Sequence, residues 1–275
     1  MSSLRHAGIV EVVDTVEVGG LRIAFERAGH GPPLVLLHGF VGDGVGTWSA
    51  QLETLAEEFT VVAWDAPGAG RSSAAPESFR LADYADCLFG FVSALELARP
   101  YVAGLSFGGA LALELFRRHR SLPRKLVLAS AYAGWAGSLP PDVARERLQL
   151  SLRLSRLPAA EFVAALLPGM FSPGAPADRV AAFAANISEF DPAGFRVMAM
   201  ASAEADLRDV LPLIDVPTLL LYGDQDVRAP REVAQALLAA IPGARLVMMP
   251  GVGHVSSVQA PERFCAEVRT FLNER

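Results

Sequence analysis

Over the first 130 or so residues, short apolar runs alternate with longer stretches of helical spacing. "IVEVVDTVEV" (Ile9 to Val18) alternates apolar and polar positions, Gly19 and Gly20 follow, and "LRIAFERA" takes up the alternation again. That pattern predicts a β-hairpin. "LVLL" (Leu34 to Leu37), "TVVAWD", "YVAGLS" and "KLVLAS" are short and largely apolar, as strands buried on both faces are. Between them, "TWSAQLETLAEEF", "LADYADCLFGFVSALEL" and "FGGALALELFRRH" carry apolar residues at helical intervals. Strand and helix in alternation predict a mainly parallel sheet with helices on both faces.

The alternation stops after Ser130 and resumes at "PTLLLYG" (Pro217 to Gly223). A helix from Arg231 to Ala240, the strand "ARLVMM" and a helix from Pro261 to Leu272 are expected beyond it. The roughly 80 residues between hold no clear buried strand and are too many for an ordinary loop. "PPDVARERLQLSLRLSRL", "AAEFVAALL", "ADRVAAFAANI" and "PAGFRVMAMASAEADL" are helical in composition and punctuated by prolines. The expected organisation is an α/β core (residues 1–131 and 211–275) with a helical cap (132–210) inserted into it.

Hydrophobic residues make up 52% of the 275 and charged residues 20%, enough for a sizeable core. The formal net charge of -6 argues against a general nucleic-acid binder, which needs a basic footprint. Cys87 and Cys265 lie in helical stretches outside any CxxC and read as buried thiols. "MSSLRHAGIVEVVD" lacks a signal peptide's apolar core, and no apolar run reaches the length of a membrane span. The expectation is a soluble, cytoplasmic protein without membrane or nucleic-acid partners. "GAGRSS" lacks the third glycine of GxGxxG, GxxxxGK is absent, and no histidine-acid cluster has metal spacing. No cofactor or metal is therefore expected. "GDGVG" (Gly42 to Gly46) reads as a mobile rim loop.

The candidate chemistry centres on "GLSFGG". Ser106 stands where a strand ends and a helix begins, with Gly104 and Gly108 two residues to either side. A nucleophile on a strained corner needs that arrangement, and the glycines give it clearance. The amide of Phe107, at the start of the helix, can stabilise an oxyanion. Serine needs a base. Of the five histidines, His6 is in the N-terminal arm, His30 in a glycine-proline turn, and His119 at a helix end that favours a capping role. His254, in "PGVGHVSS", follows the last predicted strand, where parallel sheets place their sites. A carboxylate must orient the base, and "GDQD" offers Asp224 and Asp226.

With these motifs the chain resembles the α/β-hydrolase superfamily over essentially its whole length. It is most similar to the capped branch containing small esterases, 3-oxoadipate enol-lactonases and cofactor-free haloperoxidases. "HGF" (His38 to Phe40), "DAPGAGRS" (Asp65 to Ser72), "GLSFGG" and "GDQDVRAP" before "GVGHVSS" carry the resemblance. It implies a serine hydrolase with an antiparallel N-terminal hairpin on its sheet. The acid follows the serine and precedes the histidine, the order of that superfamily. The pattern G-x-x-D-x-x-x-P, anchored at Gly223 and Pro230, implies Asp226 as the acid. The resemblance also implies Phe40 as the second oxyanion amide and His38 as a structural histidine. Phe40 and Phe107 are then expected to form an apolar wall beside the acyl group. Leu105 replaces the commoner histidine of the elbow, as in enol-lactonase-like members.

The expected substrate is a small or medium apolar ester or lactone, cleaved through an acyl-enzyme. Perhydrolysis and C–C bond hydrolysis use the same residues. A small-ligand receptor with an intact triad is the competing class. Trp135, Phe162, Met170, Phe171 and Val255 are the expected pocket residues. Arg145, Arg153, Arg156 and Arg196 read as solvated, with recognition of a substrate carboxylate as their other role. The chain is expected to be a monomer or a homodimer.

Overall fold

The computed structural model of the chain describes residues 14–274. His6 and the first part of the expected hairpin, Ile9 to Val13, lie outside the described residues. The remainder of the hairpin is β1 (Asp14–Val18) and β2 (Leu21–Ala28), paired antiparallel. Gly19 (φ 57) and Gly20 (φ 83) turn the chain between them. Two consecutive positive-φ residues make the tight hairpin turn whose twist matches its strands.

The other strands are β3 (Pro33–Leu37), β4 (Thr60–Trp64), β5 (Tyr101–Leu105), β6 (Lys125–Ala129), β7 (Thr218–Gly223) and β8 (Arg245–Met249). The sheet order is β1-β2-β4-β3-β5-β6-β7-β8. β2 pairs antiparallel with β4, and every pairing beyond that is parallel. Strands β4 to β7 are buried at every position, which is why their sequences are continuous apolar runs rather than alternating ones. β8, at the sheet edge, is mostly half-exposed.

α1 (Gly44–Leu55), α2 (Leu81–Ala94), α3 (Phe107–Arg118), α9 (Arg231–Ala240) and α11 (Pro261–Asn273) cover the sheet. Two of the boundaries that differ from expectation have a clear local cause. α1 begins inside "GDGVG", because the Asp43 carboxylate accepts a hydrogen bond from the Gly46 amide at 2.7 Å and caps the helix. The second half of the expected rim loop is therefore helical. α2 stops at Ala94 rather than running to Leu97: Glu96 takes φ 53, and the Leu97 amide turns back to the Val92 carbonyl. That stop is normally made by glycine, so a glutamate at this position does not announce it.

Between β6 and β7 stand α4 (Trp135–Ser138), α5 (Pro141–Leu154), α6 (Ala159–Leu166), α7 (Ala177–Ser188) and α8 (Pro192–Glu204). Phe162, Phe190 and Phe195 pack together among them, with Phe162 stacked on Phe190 at 3.6 Å and edge-on to Phe195 at 5.1 Å. Among the described residues, no helix is long and apolar enough to cross a membrane. Cys87 and Cys265 are buried and free. The parallel register brings the carboxyl ends of β3, β4, β5, β7 and β8 to one edge of the sheet, where such folds place ligands.

Candidate active site

Ser106 follows β5 and precedes α3 with φ 54 and ψ -108. A non-glycine residue there is strained, at a cost of about 1–3 kcal/mol. The glycines around it are needed for contact distance. A Cβ on Gly104 would strike the Gly108 carbonyl, and one on Gly108 would strike the Leu37 carbonyl. The corner can therefore sit against both α3 and the end of β3 only with glycine at both positions.

Phe107 opens α3, so its amide is one of the helix's uncommitted donors. Among the described residues neither it nor the Phe40 amide donates a hydrogen bond within the protein. The Phe107 ring turns the other way and meets Tyr84 of α2 edge-on at 5.4 Å. It lines neither cavity near Ser106. This corrects the expected two-sided aromatic wall. With Ser106 at positive φ, the next side chain turns into the core. The Phe40 ring does face the site, stacked on Phe195 at 5.0 Å and edge-on to Trp135 at 5.8 Å.

His38 fixes the loop that carries Phe40. Its Nδ1–H donates to the Gly39 carbonyl at 2.6 Å, and Nε2 accepts from the Ala66 amide at 2.9 Å. Those partners set the neutral tautomer. Burial pushes its pKa below the ordinary 6.5, against the opposing pull of Asp65, the Gly39 carbonyl and Asp43. Asp65 extends the same bracing. Its carboxylate accepts from the Gly44 amide at 2.9 Å and from the Arg71 amide at 2.9 Å.

His254 and Asp226 meet in the core. His254 Nδ1 lies 2.9 Å from Asp226 Oδ2 and 3.1 Å from Oδ1. Oδ1 also accepts from the amides of Arg228 (2.9 Å) and Ala229 (2.8 Å). Burial alone would raise the Asp226 pKa. The His254 ring first, and the Ala229 amide after it, outweigh that and hold the carboxyl below its usual range. Asp224 instead accepts from the Gly251 amide at 2.7 Å at the exposed end of the loop. His119 caps α3, stacks on Phe89 at 3.9 Å and lies 3.1 Å from Asp86, far from this cluster in the fold.

Gln259 holds the histidine loop in place and was not singled out in the sequence. It ends α10 (Ser256–Gln259) and is buried. Its Oε1 accepts from the Ser172 amide (3.1 Å) and the Gly253 amide (2.9 Å). Its Nε2 donates to Ser172 Oγ (2.6 Å) and the Gly251 carbonyl (3.0 Å). All four hydrogen-bonding positions of the amide are thus used. The Val255 amide adds a bond to the Met170 carbonyl at 3.0 Å. A lone glutamine two residues before Pro261 carries no pattern that would have marked it.

Ser106 and His254 line one small cavity of about 20 Å³ with Phe40, Val41, Thr47, Leu105, Met170, Phe183 and Val255. Met170 and Val255 are where the sequence expected pocket residues. Trp135, Phe162 and Phe171 are not in this lining. Trp135 stands behind Phe40, Phe162 is covered by Phe190 and Phe195, and Phe171 packs edge-on to Phe183 at 5.5 Å. Val41, in the loop before α1, and Thr47, in the first turn of α1, also line it. Arg145, Arg153 and Arg156 are exposed and Arg196 is half-buried; none lines the cavity.

Residues 32–261 match the family profile described as alpha/beta hydrolase fold. The chain is 31% identical to the pimeloyl-[acyl-carrier protein] methyl ester esterase of Vibrio vulnificus, over 91% of this chain and 98% of that protein. It is similar in structure to a thermophilic esterase from Thermogutta terrifontis, with TM-score 0.86 and 28% identity over 94% of this chain and 97% of that one. It is also similar to the enol-lactonase from Burkholderia xenovorans, with TM-score 0.84 and 26% identity over 95% of this chain and 100% of that one.

Proposed function

The chain belongs to the α/β hydrolase fold family and is an enzyme of its ester-hydrolysing kind, and from that premise we propose that it works as a serine hydrolase with Ser106, His254 and Asp226 as its triad. The substrate in this reading is a carboxylic ester or lactone with a small or medium apolar body. One observation carries the reading: His254 is held on its Nδ1 side by a buried carboxylate, in the same cavity as a strained serine.

In this mechanism His254 Nε2 takes the proton from Ser106 as Oγ attacks the ester carbonyl. The Phe40 and Phe107 amides receive the oxyanion, where fixed donors stabilise developing charge without reorganising. Asp226 keeps the proton on Nδ1 and stabilises the imidazolium. His254 then gives its proton to the leaving alcohol. Water, deprotonated by His254, releases the acid from the acyl-enzyme. The inserted helices α4 to α8 act as the cap that shapes the pocket.

Labelling with a fluorophosphonate, followed by turnover of short-chain p-nitrophenyl esters, tests this. Ser106 is expected to carry the label, and Ser106→Ala to lose at least about 10³-fold in kcat. A Ser106→Ala variant with full ester turnover would refute it. Labelling with only a single turnover would favour the receptor reading instead.

A further inference from the structure

The reacting groups are covered. Ser106 is 6% exposed and His254 4%, so a substrate must pass between the inserted helices and the core. On the histidine side that seam is closed by hydrogen bonds. Gln259 joins Ser172 to Gly251 and Gly253, and Met170 is bonded to Val255. Arg179 of α7 adds a bond to the Gln259 carbonyl at 2.9 Å and an ion pair with Glu262 at 2.6 Å.

The oxyanion side is different. There a recess of about 170 Å³ lies against the far face of Phe40 and Val41, the residues that also wall the cavity at Ser106. The Asn186–Asp43 hydrogen bond of 2.9 Å spans it. Phe40 and Val41 separate the recess from the serine, with the Phe40 ring stacked on Phe195. The two spaces thus adjoin across Phe40 and Val41, whereas the histidine side is bridged by a hydrogen-bonded network.

The recess has a definite charge. Asp43, Glu189 and Asp191 line it, with Arg71 as the cation. Arg71 is already engaged, by Glu26 at 2.6 Å and by Asp65 at 3.4 Å. Asp43 and Asp191 bond to neutral donors: the Gly46 amide and Asn186 for the first, the Ala193 and Gly194 amides for the second. Among the described residues none of the three lining carboxylates is in an ion pair. Asp43 is half-buried and Glu189 and Asp191 are exposed, so their charge acts on whatever enters the recess most strongly at low salt. The arginines that might have met a substrate carboxylate are elsewhere. Arg145 and Arg153 line an outer groove that shares no residue with the recess or with the cavity at Ser106.

We propose that substrates enter over Phe40, and that this entrance admits uncharged or cationic esters in preference to esters bearing a carboxylate. The inference rests on the serine-hydrolase reading for its chemistry, and on the recess alone for its charge preference.

Three p-nitrophenyl esters of matched length test it: pentanoate, monoglutarate and 4-(trimethylammonio)butanoate. At low salt the monoglutarate is expected to have kcat/KM roughly tenfold or more below the pentanoate, with the cationic ester at least equal to the pentanoate. High salt should narrow the spread. The double variant Glu189→Gln/Asp191→Asn keeps an amide cap on α8 and should shrink the cationic-to-anionic ratio by roughly threefold or more. A monoglutarate cleaved as well as the pentanoate would overturn the proposal, as would a ratio unmoved by the double variant. Calorimetric binding of the three corresponding, uncleavable amides reads the same preference without turnover. Absent labelling and turnover would thus sink the serine-hydrolase reading, while tighter binding of the carboxylate amide would sink this one.

Discussion

Asp224 and Asp226 stand two positions apart in "GDQD", and one of them faces the histidine. Asp226 offers its oxygens to His254 and to two amides in the core, whereas Asp224 tethers Gly251 at the surface. Asp226→Asn is expected to lower kcat roughly 10³- to 10⁴-fold, because an amide can favour the wrong tautomer of His254. Asp224→Asn keeps an acceptor for Gly251 and should change kcat by no more than about threefold, as surface substitutions do. Parallel steady-state kinetics of the two variants check this, and equal losses would remove the distinction. The resemblance, through Gly223 and Pro230, implied Asp226 as the acid, and it is Asp226 that meets His254. The direction of the Phe107 ring was not legible, since it depends on the positive φ of its neighbour rather than on its own type. Pocket residues were legible in kind but not in layer: Met170 reaches the cavity, while Phe171, next in sequence, packs on Phe183.

Most strands and helices were legible because burial on both faces leaves continuous apolar runs, and amphipathic helices leave a period. Where an end was set by a cap, the reading failed. Asp43 starts α1 within a glycine-rich stretch, and Glu96 ends α2 in a conformation expected of glycine. The same holds for the element after His254. The four-residue helix α10 is too short to show a period, yet its Gln259 ties the histidine loop to Ser172. Gln259→Met preserves length and removes all four bonds. It is expected to lower kcat per phosphonate-titrated site about tenfold, with KM changed less than about threefold, since a small misplacement of a catalytic group is costly. The rate is referred to titrated sites so that loss of folded protein does not count. A lower Tm with an unchanged rate per site would make Gln259 a structural residue and no more.

Across the whole molecule, the sheet order is what the sequence withheld, because it is set by which strands meet rather than by any one strand's pattern. β3 lies between β4 and β5, so the "HGF" loop, the "DAPGAGRS" loop and the Ser106 corner arrive side by side. His38 joins the first two through neutral-tautomer hydrogen bonds, and this makes the stability of the assembly depend on pH. Protonating Nε2 would break the bond from Ala66 and put a cation into a fully buried position. Its folded pKa is lowered from 6.5 by burial. Above 6.5 the residue is mostly neutral folded or unfolded and has little effect on the slope. Below 6.5 the unfolded chain binds the proton first, so stability falls as pH drops toward the folded pKa. Asp226, whose folded pKa is lowered from the carboxylate range, loses its contribution only at more acidic pH. The two effects therefore set in at different pH, that of His38 below 6.5 and that of Asp226 only in the carboxylate range. Calorimetric Tm between about pH 8 and pH 5 should decline with acidification in the wild type. In His38→Gln, which cannot take up that proton, the curve should start lower and run flatter across the same range. Parallel curves would mean that the acid sensitivity originates elsewhere than in the brace between the two loops.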